Sequence, residues 1–421
     1  GNSQSRPPHR RPIADSREQS PGLSQSYDEL ADITLLTGEF DEMQFRSATH
    51  LIVSPGISLR EKAIASAIAN GVKACGDIDL FACSVDAPII AITGSNGKST
   101  VTTLVGEMAK AAGKRTGVGG NLGTPALDLL EQAAELFVLE LSSFQLERTS
   151  QLNASVATVL NISADHMDRH ADLADYAAQK QQVFRGDGAM VINIDDPIVA
   201  AMREEGRQLL TFSIQQKADF WIGEELGINY LMQGDKPVLQ LSELPLEGKH
   251  NAANALAALA LGAAAGLNQQ AMCNALKTFK GLEHRMQRVA EIRGVVWVND
   301  SKATNIGACA AALQGYECKV ILIAGGDAKG ADMNELTPVV KAKAKSVVLM
   351  GKDANLIEQA LNGCVPVYKV DNMQEAVTIA AKIATAGECV LLSPACASLD
   401  QYKNYQERGE KFTEAVLRLV A

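Results

Sequence analysis

The chain is short of the features that mark several large protein classes. Only 5% of its 421 residues are aromatic, and Lys and Arg (39) are outnumbered by Asp and Glu (49), for a formal net charge of −10. A general nucleic-acid binder needs a basic face, so this acidic balance argues against one. It leaves open small phosphorylated substrates, which single lysines and helix N-termini can hold. The eight cysteines form no C-x-x-C pair, and the six histidines are dispersed. That pattern predicts reduced thiols in a cytoplasmic protein, with neither a disulfide framework nor a zinc site. No apolar run is long enough to cross a bilayer; the longest small-apolar stretch, Ala255 to Leu267, suits a buried helix.

What is present is ordinary globular material, 47% hydrophobic and 21% charged. At about 150 residues per domain the length suggests roughly three domains. Residues 1–13 are polar, basic and proline-rich, and read as a leader outside the fold. From about Ile33, short apolar runs alternate with helical patterns. His50 to Ser54, Pro88 to Thr93, Leu136 to Leu141, Ala157 to Ile162 and Ala189 to Ile194 read as strands, with a helix over Ser99 to Ala112. The last third repeats the alternation. Strands are expected at Val295–Val298, Lys319–Ala324, Ser346–Met350, Val365–Val370 and Cys389–Leu392, with a helix over Met373–Thr385. Such alternation predicts α/β domains with largely parallel sheets. Boundaries near Cys75 and Leu282 divide the chain into 1–76, 77–281 and 282–421.

The strongest single motif is Thr93-Gly94-Ser95-Asn96-Gly97-Lys98-Ser99-Thr100, which leaves a strand and opens a helix. Backbone N–H groups of such a loop cradle phosphates, the lysine reaches the β- and γ-phosphates, and the serine hydroxyl can bind Mg²⁺. Standard Walker spacing would need glycine where Ile92 stands, so this loop is two residues shorter. Glu140 ends the apolar run Phe137-Val138-Leu139, where a buried carboxylate is costly unless paired or metal-bound. On spacing alone, His166 reads as a capping or salt-bridged histidine, and Lys180 as a solvated helix lysine.

The short loop resembles that of the Mur ligase family, which shares it with folylpolyglutamate synthases. Gly119-Gly120-Asn121, Leu139 to Leu146 and Asp165-His166-Met167-Asp168 are similar to that family's central domain, and Gly248 to Leu256 to its adenine-side helix. Asn299-Asp300-Ser301-Lys302-Ala303-Thr304-Asn305 and Leu392 to Gln401 resemble its D-glutamate-adding branch. The resemblance covers about residue 14 to the end.

It implies a Rossmann-like N-terminal domain, a central P-loop-type mononucleotide-binding domain and a C-terminal doubly wound Rossmann-like domain. The implied reaction is ATP-dependent joining of D-glutamate to UDP-N-acetylmuramoyl-L-alanine through an acyl phosphate, in cytoplasmic peptidoglycan precursor synthesis. It implies ATP and two Mg²⁺ ions as cofactors, a monomer, and no nucleic-acid or membrane partner.

The resemblance also assigns residues. Gly94, Ser95, Asn96, Gly97, Lys98, Ser99, Thr100, Asn254, Arg285 and Asp300 would contact ATP. Ser99, Glu140, His166 and Lys180 would hold the metals, Lys180 as its CO₂ carbamate, because an ammonium cannot ligate Mg²⁺. Lys98, His166 and Lys180 are the expected catalytic set. Asn121, Ser142 and Gln145 would face the muramoyl-alanine part, and Asp15, Ser16 and Arg17 the uridine. Lys302, Thr304, Lys329, Ser398, Leu399 and Tyr405 would form the D-glutamate pocket, with Tyr405 where the family pattern has Phe. Cys396 beside it reads as packing. The family's first strand and glycine loop are not found before Ala14–Arg17, so the N-terminal domain is expected to be incomplete. Two other readings stay open: another ligase of the superfamily, or a nucleotide-binding P-loop protein without ligase activity.

Overall fold

The computed structural model describes residues 38–419 apart from Asp168 and Glu247. The expected uridine contacts Asp15, Ser16 and Arg17 lie outside the described residues. Three sheets follow one another along the chain. The first is a parallel pair, β1 (His50–Ile52) and β2 (Lys73–Cys75).

The second sheet has nine strands. They are β3 (Ile89–Thr93), β4 (Thr116–Gly120), β5 (Leu136–Glu140), β6 (Val156–Val159), β7 (Ala189–Asn193), β8 (Leu209–Ser213), β9 (Phe220–Glu225), β10 (Ile228–Gln233) and β11 (Lys236–Gln240). Their order is β11-β10-β9-β8-β7-β6-β3-β5-β4. Every residue of β3, β5 and β6 is buried, as expected of parallel strands covered on both faces. On one face lie the helices Lys98–Ala111, Lys249–Ala264 and Gln269–Thr278, sharing a core with Leu104, Leu256 and Leu276. The other face carries Asp77–Ser84 and Leu173–Gln181, through Ile78, Phe81, Tyr176 and Ala177. The helix Lys249–Ala264 takes in the expected buried stretch as far as Ala264, with Ala255 to Leu261 at most 2% exposed, and the chain turns at Ala265 and Gly266 before Leu267. β9 still pairs parallel with β8, but β10 runs antiparallel to both β9 and β11, so these three strands form a ribbon at the sheet's edge.

The third sheet comprises β12 (Gln287–Ile292), β13 (Val295–Asn299), β14 (Val320–Gly325), β15 (Ala344–Met350), β16 (Val367–Lys369) and β17 (Cys389–Leu392), in the order β12-β13-β17-β14-β15-β16. All pairings are parallel except β12 with β13. Strands expected from the apolar runs are present, shorter by a residue or more where an end turns toward a loop: Val365–Val370 is reduced to Val367–Lys369. Both large sheets direct the carboxyl ends of β3, β5, β13 and β17 toward a shared junction, the location where open α/β sheets bind ligands.

Candidate active site

The phosphate loop leaves β3 between its neighbours β5 and β6. Gly97 sits at φ 86°, the left-handed conformation that glycine adopts without strain. A Cβ there would lie 2.5 Å from Asn254 Oδ1, so the loop packs closely against the helix Lys249–Ala264. Asn161, after β6, holds the loop in shape: its Oδ1 accepts from Asn96 N at 2.8 Å and its Nδ2 donates to Asn96 O at 3.0 Å. Lys98 curls back, donating to Gly94 O at 2.8 Å and Ser95 O at 2.9 Å. Burial lowers the Lys98 pKa, while Glu140 and Asp165 favour its charge.

Glu140 ends β5 and is 1% exposed. Its Oε1 accepts from Asn121 Nδ2 at 2.8 Å, whereas its buried Oε2 has no hydrogen-bond partner. Burial opposes the charge, yet Lys98 and then Lys302 outweigh it and hold the carboxyl below the usual range. A buried, ionised carboxylate with an orphan oxygen is a fitting ligand for a hard cation. Among the described residues no three His, Cys, Asp or Glu side chains cluster as a metal cage. The donors available are therefore few, which suits Mg²⁺, an ion that keeps waters and phosphate oxygens in its shell.

Lys180 is not the solvated lysine that its neighbours Gln179 and Gln181 suggest: it is 1% exposed. Its Nζ donates to Thr93 Oγ1 at 3.3 Å and lies 4.6 Å from the centre of the Tyr176 ring. Burial, reinforced by Lys98, pushes its pKa well below the ordinary value. The neutral amine so favoured is the form that reacts with CO₂. His166 has φ 57°, places Nε2 3.8 Å from Asp165 Oδ2 and packs edge-on to Phe144 with centroids 4.9 Å apart.

Across the junction, Asp300 follows β13 and is buried. Ser393 Oγ donates to its Oδ2 at 2.9 Å and Met286 N to its Oδ1 at 3.2 Å. Burial raises its carboxyl to about 6, against the pull of Arg285. Asn96, Gly97, Asn254, Arg285 and Asp300 line one cleft. Arg285 Nε is buried without a partner. Five of the expected ATP contacts thus converge on one space between the second and third sheets.

Lys302 Nζ donates to Tyr405 Oη at 3.2 Å, and burial depresses its pKa to about 8. Thr304 is half-buried, Ser398 is buried and Leu399 is 73% exposed. Lys329 pairs with Asp165 at 2.6 Å. Ser142 and Gln145 bond each other first, in a capping box at the helix Ser143–Leu146, and Gln145 Nε2 also donates to Asp77 Oδ2 at 3.1 Å. Thr100 Oγ1 is buried without a partner. Burial raises the Cys396 thiol to about 12, in keeping with packing.

Family models match along the chain: a Mur ligase MurD-like N-terminal domain over residues 7–76, a Mur ligase middle domain over 92–262, and a Mur ligase glutamate ligase domain over 284–396. The UDP-N-acetylmuramoylalanine–D-glutamate ligase of Methylococcus capsulatus is 55% identical over 409 residues, covering 97% of this chain and 89% of the relative. The chain belongs to the Mur ligase family. The like-named ligase of Nitrosococcus oceani is 49% identical to this Mur ligase over 414 residues, 97% of the chain and 91% of the relative. A crystal structure of MurF from Acinetobacter baumannii superposes on this Mur ligase with a TM-score of 0.63 at 18% identity, covering 84% of this chain and 87% of that one. At that identity the likeness shows the shared fold.

Several residues that build this Mur ligase's site had no role from sequence. Arg408, 1% exposed in the helix Tyr405–Leu417, donates to Ser301 Oγ at 3.0 Å, Ser301 O at 2.8 Å and Cys396 O at 3.1 Å, binding two site loops together. Arg148, buried after the helix Ser143–Leu146, donates to Val53 O at 3.3 Å, Ile57 O at 3.0 Å and Ser54 O, tying the first sheet's loop to the second domain. No local spacing signals either arginine. Asp165 and Asn305 stand inside quoted motifs, and only the fold shows that they meet, at 3.1 Å.

Proposed function

We propose that this chain is an ATP-dependent ligase that adds D-glutamate to UDP-N-acetylmuramoyl-L-alanine, a cytoplasmic step toward peptidoglycan. The observation that carries the reading is the contact of the phosphate loop with the third domain, where Asn96 and Asn305 lie 3.5 Å apart, beside a buried Glu140 whose charge both Lys98 and Lys302 favour. Phosphate-binding and amino-acid-binding groups thereby share one junction. The names of relatives that span nearly the whole chain supply the substrates.

Joining a carboxylate to an amine needs an activated acyl group. In the proposed reaction the γ-phosphoryl of ATP passes to the alanyl carboxylate, giving an acyl phosphate and ADP. The amine of D-glutamate then attacks the acyl carbon, the C–N bond forms, and phosphate leaves with the C–O bond. Such transfers depend mostly on positioning and charge neutralisation. Lys98 and the loop N–H groups hold the phosphates; Asn254, Arg285 and Asp300 hold the nucleoside end. Asn121, Ser142 and Gln145 face the muramoyl-alanine part. Lys302, Thr304, Lys329, Ser398, Leu399 and Tyr405 receive D-glutamate, whose two carboxylates need cations and donors. With a pKa near 8, Lys302 is largely charged at neutral pH and able to meet a carboxylate.

Ser99, Glu140, His166 and carbamylated Lys180 would hold two Mg²⁺ ions, which when bound neutralise phosphate charge. The orphan Glu140 Oε2 and the buried Lys180 amine, whose pKa burial lowers, support that assignment. Measured phosphate release should require both UDP-N-acetylmuramoyl-L-alanine and D-glutamate. Release that needs ATP alone, or that accepts another amino acid in place of D-glutamate, overturns the reading.

A further inference from the structure

Asp165 reaches from the second domain into the third. It lies in the turn beyond β6 and is 9% exposed. Its Oδ1 accepts from Lys329 Nζ at 2.6 Å and from His166 N at 3.0 Å. Its Oδ2 accepts from Asn305 Nδ2 at 3.1 Å. Both cross-domain partners are themselves held in place. Asn305 caps the helix Ile306–Gln314 by accepting from Ala308 N at 2.8 Å, and Lys329 N donates to Asp327 Oδ1 at 2.9 Å.

The same helix end rests on the phosphate loop. Asn305 Nδ2 is 3.5 Å from Asn96 Oδ1. A Cβ at Gly307 would lie 2.9 Å from Ser163 Oγ, so a larger residue there would hold the domains apart. An ionised, desolvated carboxylate whose principal partners come from the facing domain ties its own satisfaction to closure. Opening the junction strips it of Lys329 and Asn305 together, exchanging a charge-assisted contact at 2.6 Å and a second hydrogen bond for water.

We propose that Asp165 is a positioning residue, a latch that holds the third domain closed on the phosphate loop through Lys329 and Asn305. Its kinetic consequence rests on the ligase reading above; its structural consequence does not. Lys329 also belongs to the expected D-glutamate pocket, so the latch orients that lysine at the junction as well as closing it.

The test uses the full-length protein without ligands, with amide hydrogen exchange read at the N-terminal turn of the helix Ile306–Gln314. Asp165→Asn and Lys329→Met should each speed exchange there several-fold, and the double variant should exchange no faster than Asp165→Asn alone, because the Lys329 contact is already lost in that variant. Asp165→Glu should restore part of the protection. In turnover assays Asp165→Asn should raise KM for D-glutamate or lower kcat while leaving KM for ATP near that of the parent. Normal protection in both single variants, or effects that simply add in the double variant, overturns the latch. Should Asp165→Asn fail to fold, Lys329→Met alone still decides, since its exchange either rises or stays at the parental level. A parent protein that shows no D-glutamate-dependent turnover refutes the ligase reading and leaves the exchange result standing.

Discussion

Lys180 Nζ donates to Thr93 Oγ1, and that hydroxyl donates in turn to Leu141 O at 2.7 Å, so a helix lysine is coupled to the strand that carries the phosphate loop. With its hydrogen committed to Leu141, the Thr93 oxygen acts as acceptor and orients the amine. If Lys180 carries a carbamate, Lys180→Ala should lose most activity, and acetate should restore part of it by filling the vacated anionic site. Lys180→Arg should stay inactive, since a guanidinium remains a cation. Carbon-13 NMR in labelled bicarbonate should show one carbamate resonance in the parent and none in either variant. Full activity in both variants would sink the assignment.

Lys98→Ala should lower the rate by about 10²-fold to 10³-fold or more, the usual cost of losing a preorganised charge at a developing phosphate. The fold should survive, because among the described residues the Lys98 ammonium hydrogen-bonds to carbonyls of its own loop, at Gly94 and Ser95. Calorimetry and phosphate release on one preparation check both halves. Near-parental turnover with normal unfolding contradicts the loop's role.

Asp300 predicts a trade between stability and nucleotide binding. Its carboxyl is raised in the folded state to about 6 from an ordinary value of 3.8. A raised carboxyl contributes stability that is complete below pH 3.8 and lost as pH rises through about 6. Asp300→Asn should therefore unfold at a higher temperature than the parent at pH 7, the gap narrowing as pH falls from 6 toward 4. The same variant should bind ATP more weakly. A gap independent of pH would show that the carboxyl titrates normally.

Arg148→Ala should free the loop after β1. The carbonyls of Val53, Ser54 and Ile57 would lose their shared donor, and the buried Val53 carbonyl left unpaired costs about 1–3 kcal/mol. The loss should appear as faster proteolysis near residues 53–57 and a higher KM for the UDP-sugar substrate, with KM for ATP little changed. Arg169, which donates to Gly56 O at 3.2 Å, gives a second hold on the same loop, so pairing Arg148→Ala with Arg169→Ala should deepen the effect. Unaltered proteolysis in the double variant contradicts the tether.

Much of the architecture was legible because the buried strands announce themselves. Leu136 to Leu141 is an apolar run ended by a carboxylate, and it forms β5 with Glu140 at its tip. The phosphate loop was readable for the same reason: local order of strand, glycines, lysine and helix is a short-range pattern. The edge ribbon β9–β11 was not, since its strands mix Glu, Asn, Tyr and Gln with apolar residues and bury only part of each strand. Nor was the burial of Lys180, whose helix carries polar residues on both sides of it. The Asp165–Lys329 pair joins positions 164 residues apart, and Arg408 meets Ser301 across 107. Sequence spacing carries no information at that range; only the packed sheets bring such residues together.

Arg408 also bears on the order in which the molecule assembles. Its guanidinium unites the loop after β13 with the loop after β17, and it stands in a helix that follows all six strands of its sheet. Contacts of such long sequence separation form late, after the chain has lost the entropy of closing the intervening loop. The third sheet can therefore pair its strands while the polypeptide behind them is still emerging, but these two loops stay slack until the helix Tyr405–Leu417 docks. A partly synthesised chain would then hold a folded sheet and an unformed pocket, and would hydrolyse no ATP while it waits for its last helix.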